Sequence, residues 1–355
     1  INNINFNYDI FSERNLPFNT LSFDENKRQK KIQFKSNNKF EFFLGENILK
    51  FIPMSYLENY NLYFKKIEKV KSYNSSIILS SGAHLMNDLF KIWIAQKKYS
   101  KFYAVRHGGS FPNENFFLHK HEIKISEKII TSFKYPNKNY IQLPSIKIRS
   151  REVKNFKLKK ILLIAYDCPR TIVRGGEFFQ SSNILQDFHQ KFKFYEKLNN
   201  KIKKNFKIRL YPFDYGWSLR ARYEKNFGRN IFDKKISFTN SLRETRLAIN
   251  SYLDTPLSEC MAANVPNITI LLKDRWPIDK SFLTLFKDMK KNKLVFFDSV
   301  SASKQMNKIY EHEDEWWSEK KIQNLVKNYR ELLIFGKIQN TLIRETWQKF
   351  LQKQI

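Results

Sequence analysis

The chain predicts an α/β protein built as two Rossmann-like, doubly wound domains with a cleft between them, closed by C-terminal helices. Three observations point there. Apolar runs of strand length alternate with amphipathic helical stretches, which is how βαβ units and parallel sheets read. At 355 residues the chain is too long for one typical domain and fits two. After a polar, strongly basic connector around Arg149-Ser150-Arg151-Glu152-Val153-Lys154, a second alternating series begins. We therefore expect an N-terminal domain over residues 1–151, a C-terminal domain over 152–335, and a last helix over 336–355 that packs back on the first domain.

The first series has a strand at Ser76–Ser80, a helix from Ala83 to about Lys97, and strands at Phe102–Val105, Ile129–Phe133 and Ile141–Leu143. The second opens with Ile161-Leu162-Leu163-Ile164-Ala165-Tyr166, whose apolar continuity predicts a strand buried on both faces. A long helix from about Ser181 to Lys203 follows, then strands at Ile208–Tyr211, Ile236–Phe238 and Leu247–Ile249. Next come a strand at Ile268–Leu272, a helix around Ser281–Lys290 and a strand at Leu294–Phe297. Beyond Ser301 the pattern is helical, with Trp316, Trp317, Leu325, Tyr329, Leu332, Leu333 and Trp347 as packing residues. Two doubly wound domains with closing helices describe the GT-B architecture. No repeat of 20 to 50 residues interrupts it.

Composition narrows the class. Hydrophobic residues make up 42%, with 33 Phe and 17 Tyr, enough for substantial cores. The net charge is +30, which taken alone points to nucleic acid or an anionic membrane. The basic residues are mostly Lys scattered among Asn, Ile and Phe, however, and no RNA-binding signature, zinc-finger spacing or basic zipper accompanies them. No nucleic-acid partner is expected. The two cysteines, Cys168 and Cys260, make neither a disulfide framework nor a thiolate metal site. No apolar run reaches membrane-spanning length and the first residues make no signal peptide, so a cytoplasmic protein is expected, with anionic membrane as a peripheral contact.

The segment Tyr252-Leu253-Asp254-Thr255-Pro256-Leu257-Ser258-Glu259-Cys260-Met261-Ala262-Ala263-Asn264-Val265-Pro266 reads as strand end, tight loop, small-residue helix with one glutamate, and a new strand. A helix N-terminus offers N–H groups to phosphate and a carboxylate takes a ribose hydroxyl pair, so this is a nucleotide-holding pattern. The plain alternative is an αβ crossover. Three further clusters lie at predicted strand ends, where open α/β sheets place ligands. Arg106-His107-Gly108-Gly109 combines close backbone approach with an anion and proton handler; Glu122 follows it as an acid or base, against the reading of a solvated glutamate. His119, His121 and Glu122 lack a matching distant ligand, and no metal is expected.

In Asp167-Cys168-Pro169-Arg170-Thr171-Ile172-Val173-Arg174-Gly175-Gly176, Arg170 and Arg174 share one helical face and suit a phosphate or carboxylate. In Arg209-Leu210-Tyr211-Pro212-Phe213-Asp214-Tyr215-Gly216-Trp217, an acid between aromatics is costly unless paired or used. Asp214 is therefore the leading catalytic carboxylate. The alternatives are capping of the helix near Trp217 or pairing with Arg220.

Taken in order, His107-Gly108-Gly109, Glu122 with Ile129–Phe133, Pro169-Arg170 with Arg174 and Gln180, Arg209-Leu210-Tyr211 with Asp214-Tyr215-Gly216-Trp217, and Ser251 with Glu259 and Ala262–Pro266 resemble a family. It comprises surface-carbohydrate transferases often encoded beside genes for nine-carbon acidic sugars, and is more distantly similar to retaining β-Kdo transferases. The resemblance covers about residues 75–275. The chain departs from it at Ser110-Phe111-Pro112, where the family reads Gly-Tyr-Gly, and at Ser251-Tyr252, where it reads Ser-Thr. The resemblance implies transfer of a 2-keto sugar acid, Kdo or a sialic-acid-like nonulosonate, from its CMP conjugate to a surface glycan or glycolipid, without cofactor or metal. It implies catalytic roles for Asp214, Glu122 and His107, and donor binding by Arg170, Arg174, Arg220, Ser251, Tyr252, Glu259, Gly108 and Gly109. Retention would require a carboxylate adduct, whereas inversion would make one of these groups a base; both stay open. So do a UDP- or GDP-sugar donor and a non-catalytic polyanion binder.

Overall fold

The computed structural model describes residues 22–35, 38–68, 76–96, 100–106, 108, 111–112, 117–148, 158–171, 183–336 and 340–354. The chain divides into two compact units, Ile1–Val105 and Arg106–Ile355. The boundary expected at 151/152 falls outside the described residues.

Among the described residues of the first unit, four helices that the sequence pattern did not announce precede the strands: Glu25–Gln29, Lys39–Phe51, Met54–Leu57 and Tyr60–Glu68. Then come β1 (Ile77–Ser80), two short helices, and β2 (Lys101–Val105), which lies parallel to β1 with Ile77 opposite Lys101. The single helix expected over 83–97 is broken at Asn87. That residue leaves helical geometry at φ −113°, ψ 110°, and its side chain accepts the Phe90 N–H, so an internal N-cap splits Ala83–Met86 from Asp88–Ala95.

In the second unit β3 (Lys128–Thr131) and β4 (Tyr140–Gln142) run parallel. A five-stranded sheet follows, made of β5 (Lys160–Ile164), β6 (Phe206–Arg209), β7 (Thr245–Asn250), β8 (Asn267–Ile270) and β9 (Val295–Phe296), in the order β6-β5-β7-β8-β9. All neighbours are parallel. The strand run at Ile161 is covered on both faces, as its apolar continuity requires. Ile161 and Leu163 enter a core with Ile184, Phe188 and Met306, while Leu162 and Ile164 face Leu242, Cys260 and Val265. The order reverses direction between β5 and β7, and ligands of open α/β sheets bind outside the carboxyl ends of the strands at such a point.

Two expectations fail here for local reasons. The helix over 181–203 is two, Asn183–Glu196 and Asn200–Lys204, separated where Asn199 turns extended at ψ 150°. The strand at 236–238 does not form, because Ser237 instead caps the helix Phe238–Arg243 by accepting the Asn240 N–H, and Ile236 is left 98% exposed. N-cap chemistry outweighs a weak β-propensity run. Past Ser301 the chain is helical as expected, with Trp317, Leu325, Tyr329 and Leu333 buried. In the last helix, Asn340–Gln354, the Trp347 indole donates to the Pro144 carbonyl at 2.9 Å. Among the described residues no helix is long and apolar enough to cross a membrane.

Candidate functional site

At the carboxyl end of the sheet, β5 runs out through Ala165 into Tyr166, Asp167 and Cys168, and the neighbouring β6 runs out into Tyr211–Trp217. The two loops are stitched together. The Arg170 N–H donates to the Tyr215 carbonyl at 3.2 Å, and the Trp217 indole donates to the Cys168 carbonyl at 3.0 Å. The Arg170 guanidinium lies 5.8 Å from the Trp217 ring centre, a cation–π arrangement that aligns it beside the second loop.

Asp214 sits on the exposed rim of this structure. Its Oδ1 accepts the N–H groups of Gly216 at 2.8 Å and Ser218 at 3.3 Å, which fixes the loop ahead of the helix Leu219–Phe227; the helix itself has Ser218 as its N-cap and no side-chain cap, so the expected capping alternative is not what Asp214 does. Among the described residues Oδ2 has no hydrogen-bond partner. One oxygen therefore anchors the carboxylate and the other remains available for chemistry. Below it opens a cavity of about 240 Å³ whose walls include Asp167, Tyr211, Phe213, Asp214, Leu219 and Arg220. Arg220 holds its guanidinium 4.6 Å over the Phe232 ring.

Asp167 is the buried member of that wall, 7% exposed. Burial pushes its carboxyl up to about 6, against the opposing N–H groups of Cys168 and Tyr215 and with help from the negative charge of Asp214. The Cys168 N–H reaches it at 2.8 Å. Sequence reasoning placed this residue in a cluster but gave it no role. An acid two residues past the apolar strand Ile161–Ala165 was the signal that marked it.

On the other side of β5, the β7 crossover is packed rather than open. Ser251 is fully buried, and Tyr252 is 7% exposed with its ring 4.8 Å from that of Tyr166. Burial, then the Asp254 charge, pushes the Tyr252 phenol well above its usual range. The helix Thr255–Ala262 begins at Asp254, whose Oδ1 takes the Thr255 N–H at 2.6 Å and whose carbonyl takes those of Leu257 and Ser258 at 2.9 and 3.4 Å. Of the free N–H groups expected for phosphate at this helix start, that of Thr255 is thus taken by the Asp254 side chain and those of Leu257 and Ser258 by its backbone carbonyl, while Pro256 has none.

Gly108 rests on the same helix start at φ 82°, where an added Cβ would meet the Thr255 Oγ1 at 2.4 Å. Only glycine fits both the backbone angle and the space. The Phe111 N–H donates to the Leu253 carbonyl at 3.0 Å and fixes that approach. Glu259, partly buried further along the helix, has its carboxyl pushed up to about 7 by burial, with the charges of Arg209 and Lys147 pulling the other way.

Glu122 lies in the helix Phe117–Ile125, 2% exposed, with its carboxylate 3.3 Å from the Arg106 guanidinium. The alternative of a solvated glutamate does not hold. Burial lowers the proton affinity of Arg106 while Glu122 opposes that effect, the signature of an enclosed ion pair. His107, Gly109 and Arg174 lie outside the described residues. The structure thus brings Asp214, Arg220 and Asp167 around one cavity with Arg170 alongside, and Gly108 onto the crossover that carries Ser251, Tyr252 and Glu259. Among the described residues no group of three His, Cys, Asp or Glu side chains gathers as metal ligands would.

A family model described as LIC12162 family transferase matches residues 3–351, and the chain belongs to that family. No curated protein matches it. Among solved structures, accessory secretory protein 1,2 and 3 in Streptococcus pneumoniae aligns at 12% identity and a TM-score of 0.43, over 82% of this chain and 57% of that one. The wall teichoic acid polymerase TagF, as a histidine-to-alanine variant, aligns at 10% identity and a TM-score of 0.41, over 78% of this chain and 72% of that one. The Thermobaculum terrenum O-GlcNAc transferase, as a lysine-to-methionine mutant, aligns at 11% identity and a TM-score of 0.39, over 82% of this chain and 55% of that one. The chain thus spans less than two thirds of the first and third of these proteins.

Proposed function

Taking membership of this transferase family as the premise, we propose that the protein is a glycosyltransferase that moves a 2-keto sugar acid, Kdo or a sialic-acid-like nonulosonate, from its CMP conjugate to a glycan or glycolipid acceptor. The observation that carries the reading is the carboxylate-walled cavity at the strand ends, with Asp214 on its rim and Arg220 and Arg170 beside it. A donor of this class has a carboxylate next to its anomeric carbon and a single phosphate. Two guanidinium groups suit those anions, and a lone phosphate needs no metal bridging it to a second one.

In this reading the Asp214 carboxylate attacks the anomeric carbon as the bond to the CMP phosphate breaks, and the acceptor then displaces it. The two N–H groups on Oδ1 orient the attacking oxygen. Glu259 takes a ribose hydroxyl pair, and Tyr252 against Tyr166 forms the floor beside it. Glu122 is enclosed with Arg106, two residues ahead of Gly108. The helix Lys39–Phe51 exposes Phe40, Phe42, Phe43 and Phe51 together with Lys39 and Lys50 on a protein of charge +30, which suits an anionic membrane surface. Binding to vesicles that ignores their anionic lipid content would remove that contact.

Thermal shift with CMP, UDP, GDP and a polyanion tests the donor. Stabilisation by CMP is expected. Stabilisation by UDP or GDP without CMP would replace the donor, and a response to polyanion alone would replace the enzyme with a binding protein.

A further inference from the structure

The geometry points to Asp167 as the group that takes the acceptor's proton, working as the buried partner of Asp214 across one cavity. The inference rests on the glycosyl-transfer reading. It starts from placement. Asp167 and Asp214 follow adjacent parallel strands, β5 and β6, and both line the same 240 Å³ space. Their loops are joined by the Arg170–Tyr215 and Trp217–Cys168 hydrogen bonds, so the two carboxyls keep a fixed relation. One is 7% exposed and the other stands on the open rim, which gives them different work. Pairs of titratable groups driven apart by their surroundings mark acid and base assignments.

A proton acceptor is what the reaction still lacks. CMP leaves as a phosphate, which needs no proton to depart, whereas the acceptor hydroxyl must lose one. In the second step the acceptor oxygen bonds to the anomeric carbon, the ester bond from that carbon to Asp214 breaks, and its electron pair returns to the Asp214 carboxylate. The acceptor's proton moves to a carboxylate oxygen of Asp167. Nothing is oxidised or reduced.

The coupling between the two acids runs in the useful direction. While Asp214 is esterified its negative charge is gone, so Asp167 sheds its proton more readily and is ready as a base. As the ester breaks, the charge returns and raises the proton affinity of Asp167 at the moment a proton arrives. Asp167 also lines the cavity itself, where a proton can reach it.

Two measurements test this. Carbon-detected titration of the Asp carboxyls in the full chain needs no donor: Asp167 is expected to titrate near 6, and to fall by a small part of its rise in Asp214→Asn, since burial still holds it up. An ordinary value in the wild type, or one unmoved by Asp214→Asn, overturns the inference whatever the donor proves to be. The second is nucleotide release from CMP-Kdo, UDP-N-acetylglucosamine and GDP-mannose with water as acceptor. On whichever is turned over, Asp167→Asn is expected to lower kcat about a hundredfold with donor KM within about threefold, and to lose the fall in rate below about pH 6. Asp167→Glu should restore part of kcat together with that acid limb, an outcome a purely structural role would not produce. If Asp167→Asn melts like the wild type and keeps both rate and acid limb, Asp167 is not the base. If only a UDP or GDP donor is turned over, the CMP reading fails and the base assignment is judged on that donor.

Discussion

The crossovers that follow β6 and β7 flank the same strand, β5, yet one is open and the other is closed. From the last residue of β7, Asn250, to Leu253, no residue is more than 7% exposed, and the helix that follows is capped by the chain's own Asp254. After β6, Tyr211 is 40% and Phe213 68% exposed, and Asp214 stands on the surface of a cavity. Both carry an acid, Glu259 on one side and Asp214 on the other. Under the proposed function the difference separates two tasks. The packed crossover would hold its shape before any ligand arrives, and the open one would present the proposed reactive group to whatever enters.

The largest contrast should appear on substituting Asp214. Asp214→Asn preserves most of the local hydrogen bonding and is expected to lower turnover by about a thousandfold or more, while the melting temperature barely moves. Nucleotide release assays beside a thermal melt measure both, and normal turnover would remove Asp214 as nucleophile. In the closed crossover the balance inverts. Leu257 is fully buried among Leu253, Met261 and Tyr329, so Leu257→Ala should cost about 3 kcal/mol in denaturant unfolding.

Glu259→Gln gives the next effect, and its sign depends on pH. The Glu259 carboxyl binds its proton more tightly in the folded chain than in the unfolded one. Its contribution is therefore favourable at low pH and is lost as pH climbs from the ordinary glutamate range through about 7. The glutamine variant should be more stable than the wild type by about 3 kcal/mol at pH 8 and equal to it near pH 4, as read by urea unfolding at both values. The same variant should bind CMP about tenfold more weakly, by calorimetry, if the carboxylate holds the ribose. Smallest is Phe213→Ala in the open loop, expected within about 0.5 kcal/mol of the wild type in stability.

Much of this architecture could be read before the structure. The both-face burial of Ile161–Ile164 follows from its unbroken apolar run, and the small-residue helix after β7 from Asp254, Pro256 and the residues between strands. What could not be read was set by side chains meeting at long range. Nothing local announced that Asp254 would occupy the helix start while Gly108 settled on Thr255, or that Glu122 would enclose Arg106. The strand expected at Ile236–Phe238 failed because one serine oxygen could cap a helix, a choice that propensity does not encode. Asp167 was visible as an acid beyond a strand. Its use appears only once β5 and β6 lie side by side and share a cavity.

The separation of a holding crossover from a reacting one is tested most directly by the bond the reacting side should form. After rapid mixing with CMP-Kdo and acid quench, intact mass followed by fragmentation is expected to show one Kdo residue attached within Tyr211–Trp217 at Asp214, and none on Asp214→Asn. Release of CMP and formation of glycoside with no mass gain on that segment at any quench time would contradict Asp214 as the nucleophile.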